Sequence, residues 1–300
     1  MERATTRRGF LEALVGAGAL AVSAGAAGAM EPIARGKDAK MKIASCAYSY
    51  RQFLTGDKPS MTLEGFLETC AGLGLDGVEL TSYYFPADAG RDYMLSIRRQ
   101  AFLLGLDVSG TAVGNRFTGP VGAEHDSQLG LVRTWIDHGE ILGAPVIRVF
   151  AGNVPEGMAE DEAIELVAES CQACADYGSQ HGVMVALENH GGVTATADQV
   201  LRIVSMVKSD WFGVNLDTGN FHTTDPYAEM AKVAPYTITT HVKTEVRPDG
   251  KGVEAVNYGR VVSILRDVGY RGYLSFEYEA AEDPMTAMPR AVSELRAALA

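Results

Sequence analysis

Four acid or imidazole side chains close four apolar runs in the second half of the chain. VMVALENHGG stays apolar through Leu187 and then presents Glu188, Asn189 and His190; FGVNLDTGN delivers Asp217; TITTHVK delivers His241 and then Lys243; YLSFEYE delivers Glu277 after Phe276. Three carboxylates and an imidazole suit one borderline-hard divalent cation, Mn2+ first, with Mg2+, Co2+ or Zn2+ also compatible, and leave positions open for substrate oxygens. Each residue has another use when taken singly. Asp217 can cap the turn that follows it, His241 can be a satisfied core histidine, and either glutamate can pair with Lys243 or Arg148. Burying three carboxylates together without a cation is far less favourable, because like charges repel strongly in a weakly screened cavity. If the four runs are neighbouring strands, the four side chains form one metal site.

The rest of the sequence supplies such strands. From Met41 onward, eight short runs rich in Val, Ile, Leu and aromatics alternate with longer amphipathic stretches: MKIASCAYS, GVELTSYY, DVSGTAV, PVIRVFAG and the four above. This alternation implies βα units around a parallel sheet, and eight units in about 260 residues match a single (β/α)8 TIM barrel. A doubly wound open sheet would usually carry a glycine-rich phosphate turn after its first strand. Here that strand runs into AYSYRQFL instead. In a barrel the C-terminal strand ends form the active-site face, which is where the four polar residues fall. The expected organisation is an export signal over residues 1–29, a charged, mobile leader over 30–40 and one barrel domain over 41–300.

The signal rests on TTRRGFL, with Arg7 and Arg8 as a twin-arginine pair, Phe10 and Leu11 behind it and an Ala/Gly-rich run after. Ala27-Gly28-Ala29 offers a small-residue cleavage site, so cleavage is expected after Ala29, giving a periplasmic or secreted protein. A membrane anchor fits less well, since the run is short and interrupted by Glu12. Twin-arginine export carries folded proteins, so a metal could travel already bound. The formal net charge is -12; without the first 29 residues, 23 basic residues face 36 acidic ones, or -13. So acidic a surface repels phosphate backbones and argues against nucleic acid or an anionic membrane as partner, while a homo-oligomer is allowed. The four cysteines form no disulfide framework. Cys171 and Cys174 lie one helical turn apart and, with Cys46 and Cys70 standing alone, are expected to pack in the core rather than bind zinc.

The motifs ALENHGG, NLDTGNFHTTDP, THVK and GKGVEAVNYGRVVSILRDVGYRGYLSFEYE resemble the xylose-isomerase-like TIM-barrel superfamily of sugar isomerases and epimerases, from about Met41 to the C-terminus. The resemblance implies metal binding by Glu188, Asp217, His241 and Glu277. It also implies that the GLDGVEL run places Glu79 near the same mouth. Two positions depart from the pattern: many relatives carry histidine where Asn220 stands and an acid where Thr244 stands. Endonuclease IV, a relative with three zinc ions, needs further histidines where this chain reads RPDGKG, so a three-metal nuclease site cannot be assembled.

Such a site suggests proton transfer next to a carbonyl. With a sugar's adjacent carbonyl and hydroxyl oxygens on the cation, one carboxylate removes a C–H proton to give an enediolate, and a second returns a proton from the opposite face. Glu188 and Glu277, arriving from non-adjacent strands, are the expected pair, and the resemblance implies the same two. Lys243 and His190 are the expected helpers, one for oxyanion charge and one to position a hydroxyl or move a proton. Glu79, Asn220, His222 and Arg247 are the expected substrate-binding residues. His125, His138 and His181 are expected at the surface. Tyr48, Tyr50, Tyr83, Tyr84 and Phe150 can wall a sugar pocket or pack the barrel. A small-molecule sugar, keto-sugar or glycoside without phosphate is the expected substrate, since no basic cluster marks a phosphate pocket. The same site could run an elimination, as a dehydratase or lyase, and a non-catalytic sugar-binding barrel is the reading from another class.

Overall fold

A computed structural model describes residues 30–36 and 38–300. The expected export signal, residues 1–29, lies outside them. Eight parallel strands close on themselves: β1 (Lys40–Cys46), β2 (Gly77–Thr81), β3 (Asp107–Ala112), β4 (Val146–Val149), β5 (Met184–Glu188), β6 (Phe212–Asp217), β7 (Thr237–Val242) and β8 (Arg271–Phe276). Each strand pairs with the next, and β1 pairs with β8 from Lys40↔Arg271 to Ser45↔Phe276. Every residue of β2, β4 and β6 is buried. Strands enclosed on both faces must read as continuous apolar runs, which is why the sequence shows the rhythm so clearly. The expected single (β/α)8 TIM barrel is the observed fold.

A helix follows each strand: α1 (Leu63–Gly72), α2 (Arg91–Leu103), α3 (Ala123–Leu142), α4 (Glu160–His181), α5 (Ala197–Met206), α6 (Pro226–Val233), α7 (Tyr258–Asp267) and α8 (Pro284–Leu299). Their ends are written in local chemistry. Thr196 and Gln199 form a reciprocal capping box at the start of α5, and Asp225 and Asp283 cap α6 and α8 just before Pro226 and Pro284. The helices α3 and α4 stop at Gly143 and Gly182, whose φ of 76° and 69° lies in the left-handed region open to glycine. Between β7 and α7 a short antiparallel ribbon pairs Glu245–Val246 with Glu254–Ala255 over the C-terminal face.

Residues 30–36 of the expected leader contact the barrel. Ile33 N–H donates to Pro235 O at 3.1 Å, and Arg35 donates to Thr237 O with its guanidinium over the Tyr270 ring. Residues 30–34 thereby lie against Met184, Lys208 and Phe212 at the N-terminal end of the barrel. The strand β1 already begins at Lys40. All four cysteines are buried and free, as packing requires. One histidine expected at the surface is not there: His125 is buried, with Nε2 3.2 Å from Ser170 Oγ, because the first turn of α3 packs on α4. His138 is half-buried against Trp135, and His181 is half-buried beside Glu140. No helix among the described residues is long and apolar enough to cross a membrane.

Gly178 shows how tightly helix and strand meet. A Cβ at this position of α4 would run into the backbone carbonyl of Val183, which has no rotamer to escape into. Gly→Ala in an exposed helix gains up to about 1 kcal/mol; here the clash should win, and Gly178→Ala should lower stability by about 1–3 kcal/mol. Thermal or denaturant unfolding would read this, and an unchanged or raised midpoint would contradict the packing.

Candidate metal centre

The C-terminal ends of β5, β6, β7 and β8 bring the four ligand candidates together. Glu188 and Asp217 are the last residues of their strands, His241 is next to last in β7, and Glu277 follows directly on β8. In register, Asp217 lies beside His241 and Glu188 beside Asn215. One donor atom from each of the four lies within 4.8 Å of the others, and all four residues are buried.

Each side chain is held by named partners. Glu188 Oε2 receives Asn215 Nδ2 at 3.0 Å and faces Arg148 Nε at 3.0 Å, while Oε1 receives Asn220 Nδ2 at 3.2 Å. Asn189 turns away from the cluster and clamps the end of β6, donating to Asp217 O and accepting from Asp217 N. Asp217 Oδ1 accepts from Gly219 N–H at 2.7 Å. His241 Nε2 lies 3.0 Å from both oxygens of Glu79, so that nitrogen carries the hydrogen. Nδ1 then faces Glu188 Oε2 at 3.2 Å and Glu277 Oε1 at 3.5 Å. Lys243 binds Glu277, reaches Glu279 Oε2 at 2.5 Å and stands 3.4 Å from Asp217 Oδ2.

Two buried atoms of the cluster, His241 Nδ1 and Asp217 Oδ2, have no hydrogen-bond partner. Both are donors a divalent ion uses, and a carboxylate behind the distal nitrogen of an imidazole is the usual orientation of a metal-ligating histidine. The residues present therefore fit a cation.

Charge makes the same point. Among the described residues, the buried carboxylates are Glu79, Glu188, Asp217 and Glu277, and the buried Lys and Arg side chains are Arg148 and Lys243. With all four acids ionised and His241 neutral, the centre is short of two positive charges. Burial pushes the Asp217 carboxyl up, Lys243 opposes it, Glu188 and Glu277 add to it, and the result is about 8. Burial alone would lower the His241 imidazole, but Glu79, Glu277 and Glu188 raise it well above its ordinary value. Burial also raises Glu188 and Glu277, yet Arg148 and His241 for the first, and His241, Lys243 and Arg148 for the second, hold both below the usual carboxylate range. Protons on Asp217 and His241 thus supply the two charges when no cation does.

The other expected residues are distributed around this core. Asn220 touches Glu188, while His222 and Arg247 are exposed and line a recess with Asn220, Lys243 and Glu279. Glu79, expected to face substrate, sits behind His241 and orients it instead. Ordinary alternation along β2, between the outward Val78 and Leu80, turns its side chain into the barrel, and the extra residue at the irregular register, Ser109, lies on β3. His190 is exposed and packs on Phe150, 4.3 Å between ring centroids, outside the cluster. Tyr50 is core, packed on Phe66, whereas Tyr83 is exposed and Tyr48 and Tyr84 are half-buried. Arg148 was foreseen only as a partner for a glutamate. In the structure it is a fully enclosed part of the site, donating to Val113 O at 3.1 Å and lying 3.8 Å over the Phe150 ring. A charged residue in the middle of PVIRVFAG was the signal for it.

A family model described as "Xylose isomerase-like TIM barrel" matches residues 67–298. The chain belongs to the xylose isomerase-like TIM barrel family. A family relative, the 2-oxo-tetronate isomerase of Haemophilus influenzae, is 22% identical over 163 residues, 51% of this chain and 62% of that protein. The match thus spans less than two thirds of the relative's length. Among solved structures, the 3-keto-D-glucoside 4-epimerase of E. coli aligns over 86% of this chain and 100% of its own with a TM-score of 0.67 and 16% identity. The D-psicose 3-epimerase of Clostridium cellulolyticum aligns over 86% and 97%, with a TM-score of 0.69 and 16% identity. Both likenesses concern the fold.

Two outcomes test the electrostatics. A divalent ion entering at pH 7 should displace the protons of Asp217 and His241, about two per ion, falling to about one above pH 8, where Asp217 is already ionised. Apparent affinity therefore rises with pH through that range. Calorimetric titration in buffers of different ionisation enthalpy counts the protons, and binding without release would contradict the charge balance. Arg148→Met removes the guanidinium that faces the buried Glu188 Oε2, so the metal-free protein should lose about 3–5 kcal/mol of stability, and adding Glu188→Gln should restore part of it. Additive losses in denaturant unfolding would show that the pair does not interact.

Proposed function

We propose that this protein is a divalent-cation-dependent sugar isomerase or epimerase that moves a proton next to a carbonyl in a non-phosphorylated sugar or keto-sugar. The carrying observation is that Glu188, from β5, and Glu277, from the end of β8, converge on His241 Nδ1 at 3.2 and 3.5 Å, each beside a different buried cation, Arg148 or Lys243. The relatives named above, an isomerase and two epimerases acting on oxo sugars, support this class of reaction. Mn2+ is the preferred ion, held by Glu188, Asp217, His241 and Glu277. When bound, it supplies Lewis acidity that makes the C–H beside a carbonyl more acidic.

The chain's own groups do the rest. One of Glu188 and Glu277 takes the proton and the other returns one from the opposite side, giving an isomer or an epimer according to which carbon receives it. Arg148 and Asn215 fix Glu188 Oε2, so its Oε1, bound only to Asn220, is the oxygen free to turn toward substrate. Lys243, between Glu277 and Glu279, is placed to stabilise oxyanion charge at the mouth. His222 and Arg247 are placed to receive hydroxyl groups from the recess side. Export by the twin-arginine route, to the periplasm or beyond, completes the reading and rests on the N-terminal sequence.

Incubating the Mn2+-loaded protein with ketoses in deuterated water should place solvent deuterium on a carbon next to the carbonyl. Glu188→Gln should slow that exchange by about 10²–10⁴-fold while the protein stays folded. Full exchange in the variant would remove Glu188 from the proton path, and no exchange with any ketose would favour binding without catalysis.

A further inference from the structure

The recess above Lys243 is small, about 70 Å³, whereas cavities that hold small ligands typically span ~300–1,000 Å³. It does not end there. Thr244, Glu245 and Ala280 line both this recess and a larger groove of about 530 Å³, which runs between the ribbon and the start of α8. Tyr258 and Tyr278 line the groove, with Val253 and Val256 on the ribbon side and Ala281 and Ala287 on the α8 side. The larger groove thus adjoins the recess along these three residues, next to where the reacting end of a substrate would reach Lys243.

Charge selects the occupant. Glu245, Glu254, Glu282 and Glu294 line the groove, and its single basic residue, Arg290, is already held by both oxygens of Glu282, at 3.3 and 2.5 Å. The field disfavours phosphate or carboxylate groups. Acceptor oxygens beside the exposed apolar walls of Val253 and Ala281, backed by the buried Tyr258 and Tyr278, suit the hydroxyls and C–H faces of a neutral sugar. Neither the family match nor the metal cluster requires such a groove.

We propose that it is a subsite for a second sugar ring, so that the preferred substrate is a keto-sugar carrying a neutral glycosyl group rather than a free monosaccharide. This rests on the isomerase/epimerase reading above. The test compares D-fructose with three disaccharides that place a hexose on its O3, O4 or O6: turanose, lactulose and isomaltulose. Binding to the Mn2+-loaded full chain is measured by calorimetry, and solvent deuterium uptake is measured separately. At least one disaccharide should bind tenfold or more tightly than D-fructose. Ala281 is exposed, so Ala281→Trp fills the groove without entering the core, and it should abolish that preference while leaving D-fructose and Mn2+ binding unchanged. Val253→Trp, from the opposite wall, should do the same. Equal affinity for all four sugars, or a preference that survives both substitutions, would overturn the subsite. So would a change of oligomeric state in both variants with sugar preference intact, which would assign the groove to a second copy of this chain. A disaccharide preference without any deuterium uptake would sink the catalytic reading and leave the subsite standing.

Discussion

Like charges confined in a small buried volume are the constraint on which this molecule is built. The acids at the ends of the strands would repel one another strongly enough to oppose folding if nothing positive stood among them. Arg148 and Lys243 offset part of that repulsion permanently. The remainder falls to Asp217 and His241, whose protons a divalent ion can replace. The centre is therefore near neutrality in either state, so the same fold is compatible with an empty site and with a bound divalent ion.

The barrel makes this arrangement possible because neighbouring strands place their last residues side by side. Asp217 and His241 face each other in register, and Glu188 and Glu277 flank them from β5 and from the end of β8. Polar atoms that do not face the centre serve the backbone instead: Asn189 ties β5 to β6, and Thr218 Oγ1 receives the Lys243 N–H. Rigidity follows, since Glu188 is held from β4 and β6, His241 from β2 and Glu277 by Lys243 after β7, while Asp217 is held by the Gly219 N–H of its own loop. A constellation held this way is preorganised for an ion and needs no collapse around one.

Much of this was legible in the sequence, and the reasons are physical. Strands enclosed by helices must be apolar, so Glu188, Asp217, His241 and Glu277 stood out as interruptions at strand ends, and the eightfold rhythm placed them on one face. Glu79 was harder to place, because alternation along β2 sends it into the barrel but does not show that the imidazole of His241, on the distant β7, is what it meets. Arg148 was visible as a charge inside an apolar run, but only coordinates show that its partner is Glu188 and that Phe150 covers its face. His125 misled for a different reason: the polar residues around it describe the exposed side of α3, whereas its own side chain turns toward Ser170. The docking of residues 30–36 depends on two carbonyl acceptors, Pro235 O for the Ile33 N–H and Thr237 O for the Arg35 guanidinium, and main-chain acceptors leave no mark on side-chain pattern.

The most direct measurement is a crystal structure of the Mn2+-loaded protein with anomalous scattering recorded at the manganese edge. The account requires one strong anomalous peak in contact with Glu188, Asp217, His241 Nδ1 and Glu277 together, with Glu79 still bound to His241 Nε2. A peak held by other residues, or no peak at the barrel mouth in protein shown to retain the metal, would contradict it.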